Sequence, residues 1–231
     1  AAGDLNGDGF GDLLIGAPYA DATDEFGITV TDAGYLYAIH GGTTNLVPNP
    51  PSPATIQLSR VASGLPDQVT GVVFIGSEPG LEVGRSSTGE VDYNGDGVPD
   101  VIFGANGEAW AVPGDDPKTQ TGGSTITRDP LPTITGLIRS LGALGAALTQ
   151  FGATFFTAGG DGSLGGLFVG AAGDVNNDGI EDFVIGAPLA DPAGNLDAGK
   201  AYVVYGAADF PQGEVLLSDV GTAAPGVTVQ G

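Results

Sequence analysis

Asp4, Asn6, Asp8 and Asp12 occupy positions one, three, five and nine of the stretch DLNGDGFGD, which runs directly into the apolar LLIGAP. A tight loop can aim alternate side chains at one point. Carboxylate and amide oxygens are hard ligands, of the kind calcium gathers six to eight at a time at about 2.3–2.6 Å. Gly9, at position six, suits a bend that needs positive φ. Phe10, at position seven, has only its backbone carbonyl to offer, and Asp12 is placed to close the cage. The frame returns twice. The second loop supplies Asp92, Asn94, Asp96, the Val98 carbonyl and Asp100. The third supplies Asp174, Asn176, Asp178, the Ile180 carbonyl and Asp182. The reading is three calcium sites, each with three carboxylates around one ion. Magnesium resists full dehydration and prefers water-rich octahedra. Zinc wants His or Cys, and the chain has 1 His and 0 Cys.

Ion-free turns are the plain alternative, since Asp-Gly and Asn-Gly are ordinary turn formers. Such turns need no acid at position nine, and packed carboxylates without a cation repel one another. An EF-hand loop needs a ligand at position twelve and an emerging helix. Here position twelve is Ile15, Phe103 or Ile185. The run after each loop is short, rich in β-branched and aromatic residues and bounded by breakers, which predicts a buried strand. The acids therefore make a turn that leads into a core strand.

The elements that must hold these loops are bounded by composition. The chain has 231 residues, 41% of them hydrophobic, with Gly 42 and Pro 16. That mix suits many short strands joined by tight turns. Against 28 acidic residues stand 6 basic ones, a formal charge of −22. Such a surface repels nucleic acid and anionic lipid and attracts cations. The lack of cysteine removes thiolate metal sites and disulfides. No apolar run reaches the roughly 18 residues a spanning helix needs, so membrane insertion is not expected.

The three segments resemble FG-GAP repeats, the blade units of the integrin α-subunit β-propeller. The resemblance is carried by GDVNNDGIEDFVIGAP with AGKAYVVYG at 198–206, by the first loop with AGYLYAIHGG at 33–42, and by the second with GEAWAVPG at 107–114. It implies an all-β fold of three propeller blades. Blade one is expected over 1–78, blade two over 79–160 with an insertion at 115–152, and blade three over 161–231. The repeats start about 85 residues apart where blades commonly take roughly 40–50, so insertions are expected. Three blades fall short of the usual 4–8, and the strand that should precede Asp4 is missing. The expectation is an incomplete ring, part of a larger propeller, or protomers that complete one another.

Within that frame, strands are predicted near 12–17, 34–40 and 70–76, over GLEVGRSST (80–88), over SLGGLFVGAAG (163–173) and at GVTVQG (226–231). Asn106-Gly107 predicts a tight hairpin. TTNLVPNPPSPAT (43–55) predicts a proline-rich loop. Leu137, Ile138, Leu141, Leu144, Leu148 and Phe151 recur at helical spacing, which predicts an inserted helix near 135–151. His40 follows a strand without a nucleophile or acid partner by pattern and is expected as a strand-end surface residue. No Ser-His-Asp spacing or phosphate-cradling loop is present. What the resemblance implies is a non-enzymatic, calcium-locked protein, extracellular or at the cell surface, that serves adhesion or structural assembly and meets a protein or glycan partner through its loops. Two other readings stay open. One is the propeller of a secreted hydrolase, lyase or lectin, for which one Trp and one His are poor stock. The other is a filament or sheath subunit that assembles by strand complementation.

Overall fold

A computed structural model describes residues 1–23, 26–42, 57–61, 69–114, 153–157 and 165–230. Its longer strands form three sheets, antiparallel apart from one parallel pair, in the manner of propeller blades. Blade one contains β1 (Leu13–Ala17), β4 (Tyr35–Ile39) and β5 (Gly71–Ile75) in that spatial order. A two-stranded ribbon of β2 (Ala22–Thr23) and β3 (Thr29–Val30) lies in the β1–β4 connection. Blade two runs β6 (Ser86–Val91), β7 (Asp100–Gly104), β8 (Glu108–Val112) and β9 (Thr154–Thr157). Blade three runs β10 (Phe168–Gly173), β11 (Asp182–Ala187), β12 (Lys200–Val204) and β14 (Gly226–Gln230). Each loop with the repeated acids either precedes β1 or joins the first and second strands of its blade.

Blade two is apolar on both faces because it is packed between the other two. All five residues of β7 are buried. Val101 and Phe103 join Leu36, Ala38 and Phe74 of blade one in one cluster. Ile102, on the opposite face, joins Phe183, Ile185 and Tyr202 of blade three in another. Aromatic rings fill both seams. Phe103 stacks on Trp110 at 5.0 Å and leans on Phe74 at 4.9 Å. Tyr93 meets Phe183 and Phe210 edge-on at 5.9 and 5.1 Å. Offset and edge-on pairs of this kind stabilise beyond their buried area.

The glycine in the Gly-Ala of blades one and two has a specific task. A Cβ on Gly104 would stand 2.7 Å from Ser86 Oγ and press still harder on the Leu167 carbonyl oxygen, at the entry to blade three. Ser86 Oγ itself donates to that carbonyl at 3.2 Å and accepts from Val169 N at 3.0 Å. A Cβ on Gly16 would likewise collide with the Gly84 carbonyl of blade two. The backbone of the following blade passes where a side chain would be.

β13 (Gly213–Leu216) leaves blade three and pairs in parallel with β9, making blade two five-stranded. Thr154 Oγ1 donates to the Pro211 carbonyl, and Thr157 Oγ1 donates to Glu214 at 3.1 Å.

The predicted strands near 12–17, 34–40, 70–76 and 226–231 are present. The strand expected over 80–88 starts only at Ser86. Gly80 and Gly84 ahead of it take φ of +73° and +82°, and Glu82 +56°, so that stretch turns rather than extends. Val83 instead makes a parallel bridge to Gly34. The strand expected over 163–173 starts at Phe168, beyond the left-handed Gly165 at +65°. The helix predicted near 135–151 and the proline-rich loop at 43–55 lie outside the described residues. Among the described residues no helix is long and apolar enough to cross a membrane.

Candidate metal centre

The three acidic loops fold alike. In the first, Asp4 accepts from Asp8 N at 3.0 Å and from Gly9 N at 2.7 Å through its two oxygens. Asn6 Oδ1 also accepts from Asp8 N at 3.1 Å, and Asp8 Oδ1 accepts from Phe10 N at 2.9 Å. The second repeats each bond. Asp92 takes Asp96 N and Gly97 N at 3.1 and 2.8 Å, Asn94 takes Asp96 N at 2.9 Å, and Asp96 takes Val98 N at 2.8 Å. So does the third. Asp174 takes Asp178 N and Gly179 N at 3.0 and 2.9 Å, while Asn176 takes Asp178 N and Asp178 takes Ile180 N, both at 2.9 Å.

Positive φ permits this winding at two positions. Position six is Gly9, Gly97 or Gly179, at +92°, +89° and +94°. Position four is Gly7, Gly95 or Asn177, at +65°, +72° and +61°. Sequence reasoning found only the former. The signal for the latter was present, because Gly and Asn are the residues that visit this region most readily.

The position-nine acids stand apart. Asp12, Asp100 and Asp182 are almost wholly buried. Each accepts two backbone N–H groups that lie far apart in sequence. Asp12 binds Leu5 N at 2.8 Å and Gly41 N at 2.6 Å. Asp100 binds Tyr93 N at 2.9 Å and Gly114 N at 2.8 Å. Asp182 binds Val175 N at 2.8 Å and Gly206 N at 2.9 Å. One oxygen holds the start of the loop, and the other holds the glycine just past the strand that pairs with the post-loop strand, β4, β8 or β12. Each acid thus bolts the loop to its sheet. Burial pushes the Asp12 carboxyl above its usual range against the pull of Gly41 N and Leu5 N. Asp100 is pushed up to about 8, mainly by burial, with Asp96 and Asp92 adding to it and the N–H groups of Gly114 and Tyr93 opposing.

Neighbouring loops touch. Asp92 N donates to Glu181 of the third loop at 2.9 Å, and a Cβ on Gly95 would sit 3.2 Å from Ile180 Cδ1. A Cβ on Gly3 would meet Pro99 of the second loop at 2.8 Å. The side chains at positions one, three and five are turned onto their own loop's N–H groups. As they stand, no three acidic or imidazole groups among the described residues converge as a metal cage would require. The donor set is nonetheless all oxygen. A carboxylate offers about four lone-pair sites, more than these hydrogen bonds use, so the residues fit a hard cation in kind.

His40 stands half-buried at the end of β4, next to Gly41. Away from the loops, Glu108 on β8 is pushed up to about 7 by burial and by the charges of Glu78 and Glu214.

The FG-GAP repeat family matches residues 1–39 and 167–204, which hold the first and third loops. The second loop lies between them and shares their hydrogen bonding. The chain is 31% identical to integrin alpha pat-2 of Caenorhabditis briggsae over 144 residues, 62% of this chain and 9% of that protein. It is 32% identical to mouse integrin alpha-11 over 113 residues, 48% of this chain and 7% of the relative. It is 34% identical to rat phosphatidylinositol-glycan-specific phospholipase D over 105 residues, 46% of this chain and 10% of the relative. The chain therefore spans a tenth or less of the length of these relatives. Together these matches identify FG-GAP repeats at residues 1–39 and 167–204 and a similarity to integrin alpha chains over about half of this chain.

Proposed function

We propose that the chain is a non-enzymatic, calcium-binding propeller module, working outside the cell or on its surface in adhesion or structural assembly. The observation that carries the metal part is the threefold repetition of one loop with the same backbone N–H bonds to its acids and Asn, built from oxygen ligands in a chain of net charge −22. Asp4, Asn6, Asp8 and the Phe10 carbonyl would hold the first ion, with Asp12 beneath. Asp92, Asn94, Asp96, the Val98 carbonyl and Asp100 would hold the second. Asp174, Asn176, Asp178, the Ile180 carbonyl and Asp182 would hold the third. Bound calcium would supply positive charge where acids crowd, offsetting the repulsion from Asp96 and Asp92 that adds to the burial of Asp100. The similarity to integrin alpha chains supports the adhesion part, with a protein partner met through loops. Similarity to the phospholipase D supports a second reading, the propeller portion of a secreted hydrolase.

Thermal unfolding in excess calcium and in chelator tests the metal reading. Each site filled at 100 times its Kd adds about 2.7 kcal/mol to the folded state. At about 2–4 °C per kcal/mol for a chain this size, one site raises Tm by roughly 5–10 °C. Identical melting in both buffers would remove calcium from the function.

A further inference from the structure

We propose that the Asn94-Gly95 turn of the second loop is a modification site, where the Gly95 amide attacks the Asn94 side chain, releases ammonia and leaves aspartate or isoaspartate. The chain has three Asn-Gly pairs, at 6–7, 94–95 and 106–107. A glycine after asparagine leaves the following amide sterically open, so sequence alone ranks the three alike. The structure separates them by what each glycine N–H is doing.

At Asn106 the attacking amide is committed. Gly107 N donates to the Gly165 carbonyl at 2.8 Å. The asparagine itself is held twice, through its N–H to the Leu81 carbonyl at 2.7 Å and through Nδ2 to the Gly80 carbonyl at 3.1 Å. The pair is thus locked although Asn106 is exposed. At Asn6, Gly7 N makes only a long bond of 3.5 Å to the Asp4 carbonyl. Gly95 is exposed, and its N–H donates to no acceptor among the described residues. Asn94 Oδ1 meanwhile accepts Asp96 N at 2.9 Å. That Asx turn folds the side chain back along its own backbone and draws electron density from the carbon to be attacked. The Asp-Gly pairs of the loops do not compete, because Gly9, Gly97 and Gly179 donate their N–H to the position-one acid at 2.7, 2.8 and 2.9 Å. The third loop supplies a comparison within the molecule. Its turn has the same bond from Asp178 N to Asn176 Oδ1, yet position four is Asn177, whose side chain obstructs attack on Asn176.

The step needs no reagent but water. Gly95 N gives its proton to solvent base and bonds to Asn94 Cγ. The Cγ–Nδ2 bond breaks, the side-chain amide leaves as ammonia, and a cyclic imide remains. Water then opens the imide at either carbonyl. One opening gives aspartate at 94. The other reroutes the main chain through the side chain as isoaspartate, which adds a methylene to the backbone. Gly95 lies against the third loop, where even a Cβ would come within 3.2 Å of Ile180 Cδ1, so the lengthened turn presses on its neighbour. No metal takes part, so the site stands or falls separately from calcium binding.

Peptide mapping by mass spectrometry follows the exchange of NH2 for OH at each asparagine. The full chain is held folded in chelator at mildly alkaline pH, beside a second sample unfolded in urea. In urea Asn6, Asn94 and Asn106 should react at similar rates. In the folded chain Asn94 should react first and Asn6 more slowly, while Asn106 and Asn176 stay intact. Gly95→Asn copies the third loop, which already carries asparagine at +61° in that place, and should abolish the reaction at Asn94. Asn177→Gly should create it at Asn176. A folded chain in which Asn106 reacts as fast as Asn94 would overturn the proposal. So would an Asn94 that stays intact while the urea sample reacts, or a Gly95→Asn variant whose Asn94 reacts as before.

Discussion

Replacing Asp182 with alanine separates the two jobs that sequence spacing merges in one loop. The carboxylate is fully buried and accepts Val175 N at 2.8 Å and Gly206 N at 2.9 Å. Alanine leaves both donors without a partner, and each buried unsatisfied group costs about 1–3 kcal/mol. The expected loss is about 3–5 kcal/mol, or roughly 6–20 °C in Tm for a chain of this length. Because the partners are protein atoms, the loss should appear in full in chelator. Asp178→Ala is the control. Asp178 is exposed and accepts Ile180 N at 2.9 Å and Asn176 Nδ2 at 2.7 Å, both within its own loop. In chelator it should cost less than about 1 kcal/mol, as exposed substitutions do, and it should cost more only when calcium is present. Urea unfolding of wild type and both variants, each with and without calcium, gives the four differences needed. If Asp182→Ala in chelator falls within 1 kcal/mol of wild type, the bolt is not structural and the burial argument is wrong.

Gly104→Ala should destabilise by about 1–3 kcal/mol, because the added methyl strikes backbone rather than a movable side chain. Gly186→Ala, at the same motif position, meets only the Phe168 carbonyl oxygen at 3.8 Å and should leave the urea midpoint unchanged; equal midpoints for the two variants would contradict the described seam. Glu108 has a folded pKa of about 7 against an ordinary 4.5. The folded state therefore keeps a proton that the unfolded state has lost, and stability should fall as pH rises from about 4.5 to about 7, with the penalty complete above that. Partial solvent screening limits it to about 1–2 kcal/mol. Glu108→Gln should flatten this slope, and Tm measured at pH 5 and pH 8 for both proteins would show whether it does.

The blades were legible because their signals are local. Acid spacing, Gly-Ala after an apolar run and paired strands such as YLYAI each point to one conformation without help from afar. The ninth-position acids were legible as important and only partly as to role. Their partners Gly41, Gly114 and Gly206 lie at the far end of another strand, and the clue was that AGYLYAIHGG, GEAWAVPG and AGKAYVVYG all end in glycine. The late start of β6 and β10 was hidden because VGRSS and LGGLF read as extended, while the glycines at 84 and 165 turn the chain through positive φ. β9 and β13 could not be read at all. Each is a four-residue strand, and their pairing depends on residues distant in sequence.

That last pairing orders events during synthesis. Thr154 and Thr157 find partners 57 residues later in the chain. When β9 emerges it can pair with β8 at once, but its other edge has no strand to meet until Gly213–Leu216 has been made. Over that interval blade two carries an open edge, which is where a growing chain is most exposed to wrong pairing. Closing a contact of such long range is also slow. The arrival of β13 therefore completes the second blade and adds a hydrogen-bonded tie to the side-chain seam that β10 and β11 have already made with it.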